Sequence, residues 1–391
     1  MKRLIIECGA AQTRAAFLEG GRTARLWFGP ARGDEMLDAE PRARRRFAGR
    51  VISVDHALEA AFIDIGAGRP GFMHLKKGAP SLAEGALVAI EVKSPPRQGK
   101  GALLKPLSDG ACNSDGPGRL APVEDAIVEA VRFIGFSAEE IIVDDGLAAA
   151  DMARARLGAP VRHQQDAQGL FEVYGAQDAL EAALSRGIAL PGGGRLVIDE
   201  AQALTAIDVD TGGLPASSVT RLREKIAVAA AREAARQISL RSIGGQVVID
   251  FPSISNAAAR SRFEKVLRES FRTLEGVGAV SFSKSGLFTC TLPHRALSLL
   301  DRFTERDKTA PVAGRRFTAE YCAREALRRL EDVLRRSPAA QFRLAAGRAV
   351  IACLEEHAQW IARLKDRYGA RFVIAPDKNL EERVCDVSET R

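Results

Sequence analysis

The chain has 391 residues, with 57 Lys and Arg against 50 Asp and Glu, and is 46% hydrophobic and 27% charged. That balance excludes a disordered chain, a collagen and a coiled-coil rod, and the length implies about two to four domains. The net charge of +7 suits an anionic partner such as nucleic acid. No apolar run reaches the roughly 18 residues of a membrane span.

The six cysteines, Cys8, Cys112, Cys290, Cys322, Cys353 and Cys385, are widely spaced and form no CxxC motif. They read as reduced thiols of a cytoplasmic protein. The start, MKRLIIECGAAQTR, has its apolar run broken by Glu7 and Arg14 and does not read as a secretory leader.

In chain order, Leu4–Cys8 and Thr13–Leu18 read as strands, with a hairpin turn at Gly20-Gly21. Residues 30–46 read as a boundary. From residue 47 the apolar period is two. Strands are expected over 47–55, 58–65, 71–75, 87–93 and 102–105, and about five short strands of this spacing suggest a small closed barrel, most commonly an OB-fold. Residues 108–118 read as a linker. Helix and strand then alternate, with helices over 123–133, 147–157 and 178–185 and strands over 140–144 and 161–163. After Gly192-Gly-Gly194, strands are expected over 195–199 and 203–209. A long helix follows over about 217–240, with Ser217 or Ser218 as its cap. The apolar run 246–251 reads as a strand of a sheet covered on both faces. A helix over 256–274 and strands over 279–282 and 287–292 complete this block. A second linker spans 309–314, and helices over 318–335 and 349–367 precede a strand over 371–375.

Two aspartates end apolar strands, Asp208 in Thr205-Ala-Ile-Asp-Val-Asp210 and Asp250 in Val247-Val-Ile-Asp250. Asp210 lies two residues after Asp208, so both point the same way along an extended strand. A carboxylate at an apolar strand end needs a partner. A hard divalent cation is one, since Mg²⁺ takes one or two carboxylates and keeps water or phosphate oxygens. A loop cap made with local N–H groups is the other. Phe62 and Phe72 lie on neighbouring barrel strands, with Lys93, Arg97, Lys100 and Lys105 placed to surround them. Rings among cations suit single-stranded nucleic acid, while alternation alone reads both rings as core. The five histidines show no metal spacing, there is no GxSxG, and Gly192–Gly194 lacks the Walker lysine.

Together these segments resemble the ribonuclease E/G family. The closest runs are Ala203-Leu-Thr-Ala-Ile-Asp208-Val209 and Arg241-Ser-Ile-Gly-Gly-Gln-Val-Val-Ile-Asp250-Phe251, with Leu58–Gly66, Gly71-Phe72, Gly99–Ala102, Tyr174-Gly175 and Ser283–Leu287 in the same order. The resemblance implies an α/β multidomain protein. Its S1-type OB-fold barrel (46–108) is inserted in an RNase H-like domain (1–45 and 119–188), followed by a DNase I-like catalytic domain (189–305) and a small α+β domain (311–391). It implies a Mg²⁺-dependent endoribonuclease that cuts single-stranded RNA. The metal ligands are Asp208 and Asp250, Asp210 stands beside them in the catalytic set, and Phe62, Phe72 and Lys100 bind RNA.

The departures from the family pattern are specific. Asp210 stands where Asn is usual and Gln202 where Glu is usual. Ala227-Val-Ala-Ala230 replaces Asn-Leu-Glu-Ala, and Phe288-Thr-Cys-Thr replaces the run after Leu287. The 5′-monophosphate pocket is deleted between Leu107 and Glu124, so weak or no preference for 5′-monophosphorylated RNA is expected. The zinc link before Thr309 is missing, which leaves a homodimer without zinc as the assembly to test. These changes motivate an alternative, a catalytically impaired RNA-binding paralogue of the same family. A third reading is an α/β enzyme with a closed pocket for a small phosphorylated metabolite.

Overall fold

The computed structural model describes all residues except 36–37, 39, 76–81, 98, 108–111, 113, 121–122, 136, 156, 213–218, 255, 284, 308–313 and 391, together with the side chains of 219–221. The chain divides into two compact units, Met1–Asp38 with Glu124–Leu180 and Leu300–Arg391, and Ala39–Val123 with Glu181–Leu299. Among the described residues, no helix is long and apolar enough to cross a membrane.

The first unit contains a five-stranded sheet in the order Val161–His163, Glu140–Val143, Lys2–Cys8, Gln12–Glu19, Arg22–Pro30. The last three form antiparallel hairpins, and the first two run parallel to Lys2–Cys8. Leu4, Ile6 and Cys8 alternate along the central strand and pack with Ile127, Ile134, Val143 and Met152. The expected helix over 123–133 is an α-helix, Ala126–Ala130, that continues as a π-turn, Val131–Gly135. Asp125 and Asp145 cap the two helices of this part by accepting from Ile127 N and Ala148 N.

The same unit holds a three-stranded sheet with Gln341–Ala346 in the centre, parallel to Phe372–Pro376 and antiparallel to Cys385–Thr390. Leu327, Leu330, Leu344, Trp360 and Leu364 form its core, together with Ala10 and Ala11 from the loop after the first strand. The single helix expected over 349–367 is two helices, Arg348–Glu356 and Ala358–Tyr368, broken at His357. The His357 Nδ1 lies 2.9 Å from the Cys353 carbonyl, and its ring stacks on Trp360 at 4.1 Å. A cavity of about 50 Å³ in this unit is lined by charged side chains, among them Glu7, Arg14, Asp144, Arg328, Glu331 and Arg335.

In the second unit, Arg46–Asp55, Ala60–Asp64, Gly71–His74, Leu103–Pro106 and Leu87–Ser94 pair in that order, and Arg46–Asp55 closes the ring against both Ala60–Asp64 and Leu87–Ser94. Gly71–His74 and Leu103–Pro106 are the parallel pair. This is a closed five-stranded barrel, consistent with an S1-type OB-fold. Phe47, Ile63, Ile65, Met73, Ile90, Val92 and Leu104 fill it.

The remaining sheet of this unit has the order Gly187–Ala189, Arg195–Glu200, Thr205–Asp210, Gly245–Asp250, Leu287–Leu292, Val280–Phe282. Its parallel pair, Thr205–Asp210 and Gly245–Asp250, is joined by the helix Val219–Leu240, as a parallel pair requires. The expected caps Ser217 and Ser218 lie outside the described residues. The helix Ala257–Arg272 is capped by Asn256, whose side chain accepts from Ala259 N. Ile226, Ala230, Ala234, Phe263 and Phe271 from the two helices pack on Ile207, Val209, Val247, Ile249 and Phe288. The expectation of a sheet covered on both faces is corrected here. Val247 and Ile249 are buried, but Gln246 and Asp250 are exposed and Val248 is half-buried. The apolar run therefore belongs to a strand with one core face and one wet face.

Candidate active site

The wet face of that sheet carries the acidic residues. Thr205–Asp210 and Gly245–Asp250 run in parallel register with Asp208 directly beside Asp250. Neighbouring strands lie about 4.8 Å apart, so two carboxylates share one face, one strand apart. Alternation selects the face, because Ile207, Val209 and Ile249 point into the core while Asp208 and Asp250 are exposed. Neither carboxylate has a hydrogen-bond or ion-pair partner among the described residues. Neither caps a loop, in contrast to Asp125 and Asp145. No group of three or more His, Cys, Asp or Glu is assembled for a metal among the described residues. The face offers a pair, which fits a hard cation that keeps most of its water and phosphate oxygens.

Asp210 differs from them. Its Oδ1 accepts the Gly212 N–H at 2.9 Å and its Oδ2 accepts from Arg195 Nε at 3.0 Å. The Gly212 N–H and the guanidinium hold its carboxyl below the usual carboxylate range. Arg195 opens the neighbouring antiparallel strand and stands directly opposite Asp210, while Val197 stands opposite Asp208. Asp210 is thus on the same face as the pair but is already engaged. Arg195 was invisible to a motif search. The signal that finds it is the hairpin register, which sets residue 195 against residue 210.

A loop from the antiparallel neighbour closes the end of this face. Leu287 stands opposite Asp250. The Ser283 Oγ accepts the Leu287 N–H at 3.0 Å and lies 2.8 Å from Ser285 Oγ, and Arg260 Nη2 donates to the Ser283 carbonyl at 3.1 Å. Gly286 has φ +104°, and a Cβ there would meet the Phe251 carbonyl oxygen at 2.3 Å. Only glycine lets the loop come this close to the strand end that carries Asp250.

On the barrel, Phe62 and Phe72 are direct cross-strand partners with ring centroids 5.7 Å apart. Their neighbours Ala61, Ile63 and Met73 point inward, so both rings stand half-buried on the outside. This corrects the core reading that alternation alone gives: within each strand it is Ala61, Ile63 and Met73 that are buried. His74 adds a third ring, 4.8 Å from Phe72. Lys100 is exposed and forms a two-residue bridge with Arg97. The loop is pinned to the Phe72 strand by Phe72 N donating to the Ala102 carbonyl at 2.7 Å. A Cβ on Gly101 would stand 1.8 Å from the Pro70 carbonyl oxygen. Lys105, in contrast, pairs with Glu91 at 2.9 Å.

A model of the ribonuclease E/G family matches residues 112–291, the stretch that contains Asp208, Asp210 and Asp250. Ribonuclease E of Haemophilus influenzae is 24% identical over 97% of this chain and 51% of its own length. Ribonuclease G of the same organism is 27% identical over 56% of this chain and 46% of its own length. The chloroplastic ribonuclease E/G-like protein of Arabidopsis thaliana is 35% identical over 31% of this chain and 13% of its own length.

The chain is similar to the ribonuclease E/G family over residues 112–291.

It spans about half, or less, of the length of these ribonuclease E and G relatives. Within the family frame, the substituted positions can be located. Gln202 is exposed in the turn before Thr205, at the opposite end of the strand from Asp208. Ala227 is fully buried among Ile226, Ala230 and the sheet core, where an apolar side chain packs well. Phe288 and Cys290 are also core residues, whereas Thr289 and Thr291 alternate toward the wet face. Of these departures, Asp210, Thr289 and Thr291 lie on the carboxylate face, and Arg195 answers the charge of Asp210.

Proposed function

We propose that the chain is a metal-dependent endoribonuclease that cuts single-stranded RNA. The observation that carries this reading is the pair of unpartnered, in-register carboxylates, Asp208 and Asp250, on the wet face of a sheet in a chain similar to the ribonuclease E/G family. In this reading the two aspartates hold Mg²⁺. When bound, the ion polarises the phosphate and lowers the pKa of a water, so that hydrolysis leaves a 5′-phosphate and a 3′-hydroxyl. The chain's own residues bind and orient the strand. The rigid register of the parallel pair fixes the two carboxylates without a loop to move them. Asp210 completes the acidic set and anchors Arg195. On the S1-type barrel, Phe62 and Phe72 offer ring faces to the bases and Lys100 offers a cation to the backbone. The strand orders of the other sheets support an RNase H-like domain around the barrel insertion and a DNase I-like catalytic domain after it.

The test is incubation of a 5′-labelled, A/U-rich single-stranded RNA with the full chain in Mg²⁺, beside an EDTA control. Internal cuts that require Mg²⁺ and leave 5′-phosphate ends are expected. Salt-dependent binding without any cut would establish the RNA-binding paralogue instead. No affinity for RNA would leave the small phosphorylated metabolite as the substrate class to examine.

A further inference from the structure

We propose that Arg195 is a phosphate-binding residue of the carboxylate face and that Asp210 is the positioning residue that holds it. This inference rests on the nuclease reading above. Arg195 and Asp210 are opposite each other across the hairpin, and the guanidinium is anchored through Nε alone. Its two terminal nitrogens have no partner among the described residues, and the side chain is 62% exposed. Arg186 shows the other arrangement, with both Nε and Nη2 spent on the two oxygens of Asp199. A guanidinium held at Nε presents its Nη pair as an open fork, the geometry that matches two phosphate oxygens.

Position supplies the rest. Arg195 is the diagonal neighbour of Asp208 on the same face, at a Cα separation of about 7–8 Å for such a pair. A strand whose phosphate sits at Asp208 and Asp250 would present the next backbone phosphate to that fork. Asp210 serves this arrangement in two ways. Its Oδ1 is fixed by the Gly212 N–H, so the carboxylate is a rigid anchor. Its charge is matched by Arg195, so the acid that stands where the family has an amide does not repel the substrate. The substrate class remains a single-stranded RNA backbone, read as charge and not as sequence.

The experiment measures binding of a fluorescein-labelled single-stranded RNA across a salt series in the Asp250→Asn background, and steady-state cleavage in the parent chain. Arg195→Gln should lower the slope of log K against log salt by about 0.7, the loss of one single-strand phosphate contact. It should also raise KM about tenfold at little cost in kcat, with the thermal midpoint unchanged. Arg195→Lys should keep most of the slope, and Asp210→Asn should lie between parent and Arg195→Gln. An unchanged slope in Arg195→Gln, or a loss of affinity that tracks a fall in the thermal midpoint, would overturn this assignment and leave the nuclease reading intact. A parent chain that neither binds nor cuts RNA would overturn both.

Discussion

Phe62 and Ile63 are chain neighbours with opposite destinations. Ile63 is fully buried in the barrel, whereas Phe62 and its partner Phe72 stand half-buried outside it. Stacking and packing can therefore be separated by substitution. Phe72→Ala should weaken single-stranded RNA binding by about 1–3 kcal/mol with a small change in unfolding midpoint. Ile63→Ala should cost about 2–5 kcal/mol of stability. Fluorescence anisotropy and urea unfolding on the same two proteins check both directions. Arg241 makes a second residue-scale case. It is fully buried, donates to Gln237 Oε1 at 2.9 Å and to the carbonyls of Ala182 and Ser185, and burial pulls its pKa down to about 10. Arg241→Met would strand those three acceptors, so a loss of about 3 kcal/mol or more is expected in urea unfolding. A loss below about 1 kcal/mol would contradict the role assigned to it.

At the scale of elements, the strands that alternate cleanly were legible and their registers were not. The barrel strands and the two Asp-bearing strands follow from period-two patterning. That Asp208 faces Asp250, 42 residues later (250 − 208), follows only from the parallel crossover through the helix Val219–Leu240. The strands Gln341–Ala346 and Cys385–Thr390 escaped notice because the second, Cys-Asp-Val-Ser-Glu-Thr, is poor in the residues strands favour and is mostly exposed. The break at His357 escaped because helical periodicity runs through it, and the local bond from its ring to the Cys353 carbonyl has no sequence signature. Loop placement is likewise a matter of close approach. Gly101→Ala would drive a Cβ into the Pro70 carbonyl and displace the turn that carries Lys100. Weaker RNA binding together with lower stability is expected, and an unaffected affinity would remove Lys100 from the binding surface.

At the scale of the whole molecule, pH acts through the charged cavity of the first unit. Asp144 lies on its wall and accepts the Cys8 N–H at 2.8 Å. Burial, and then the charge of Glu7, push its carboxyl up to about 7. An aspartate in an unfolded chain titrates at about 3.9. Between those values the folded chain binds the extra proton, so this group's contribution to stability falls as pH rises from about 4 to about 7. Burial also raises Glu331 and Asp332, which adds the same sign. Asp144→Asn should therefore stabilise the chain more at pH 8 than at pH 5 in thermal melts, and an equal effect at both would contradict the assignment. None of this cluster was legible in the sequence, because Glu7, Asp144 and Glu331 meet across more than 300 residues of chain.

In the proposed function, Asp208 and Asp250 together hold the metal for RNA cleavage. The most direct measurement is the single-turnover cleavage rate of a labelled single-stranded RNA as Mg²⁺ is titrated, for the parent, Asp208→Asn and Asp250→Asn. Each substitution should lower the rate at least about a hundredfold, demand more Mg²⁺, and leave RNA binding within a few-fold of the parent. Cleavage at the parental rate and parental Mg²⁺ dependence in either variant would contradict this role of the pair.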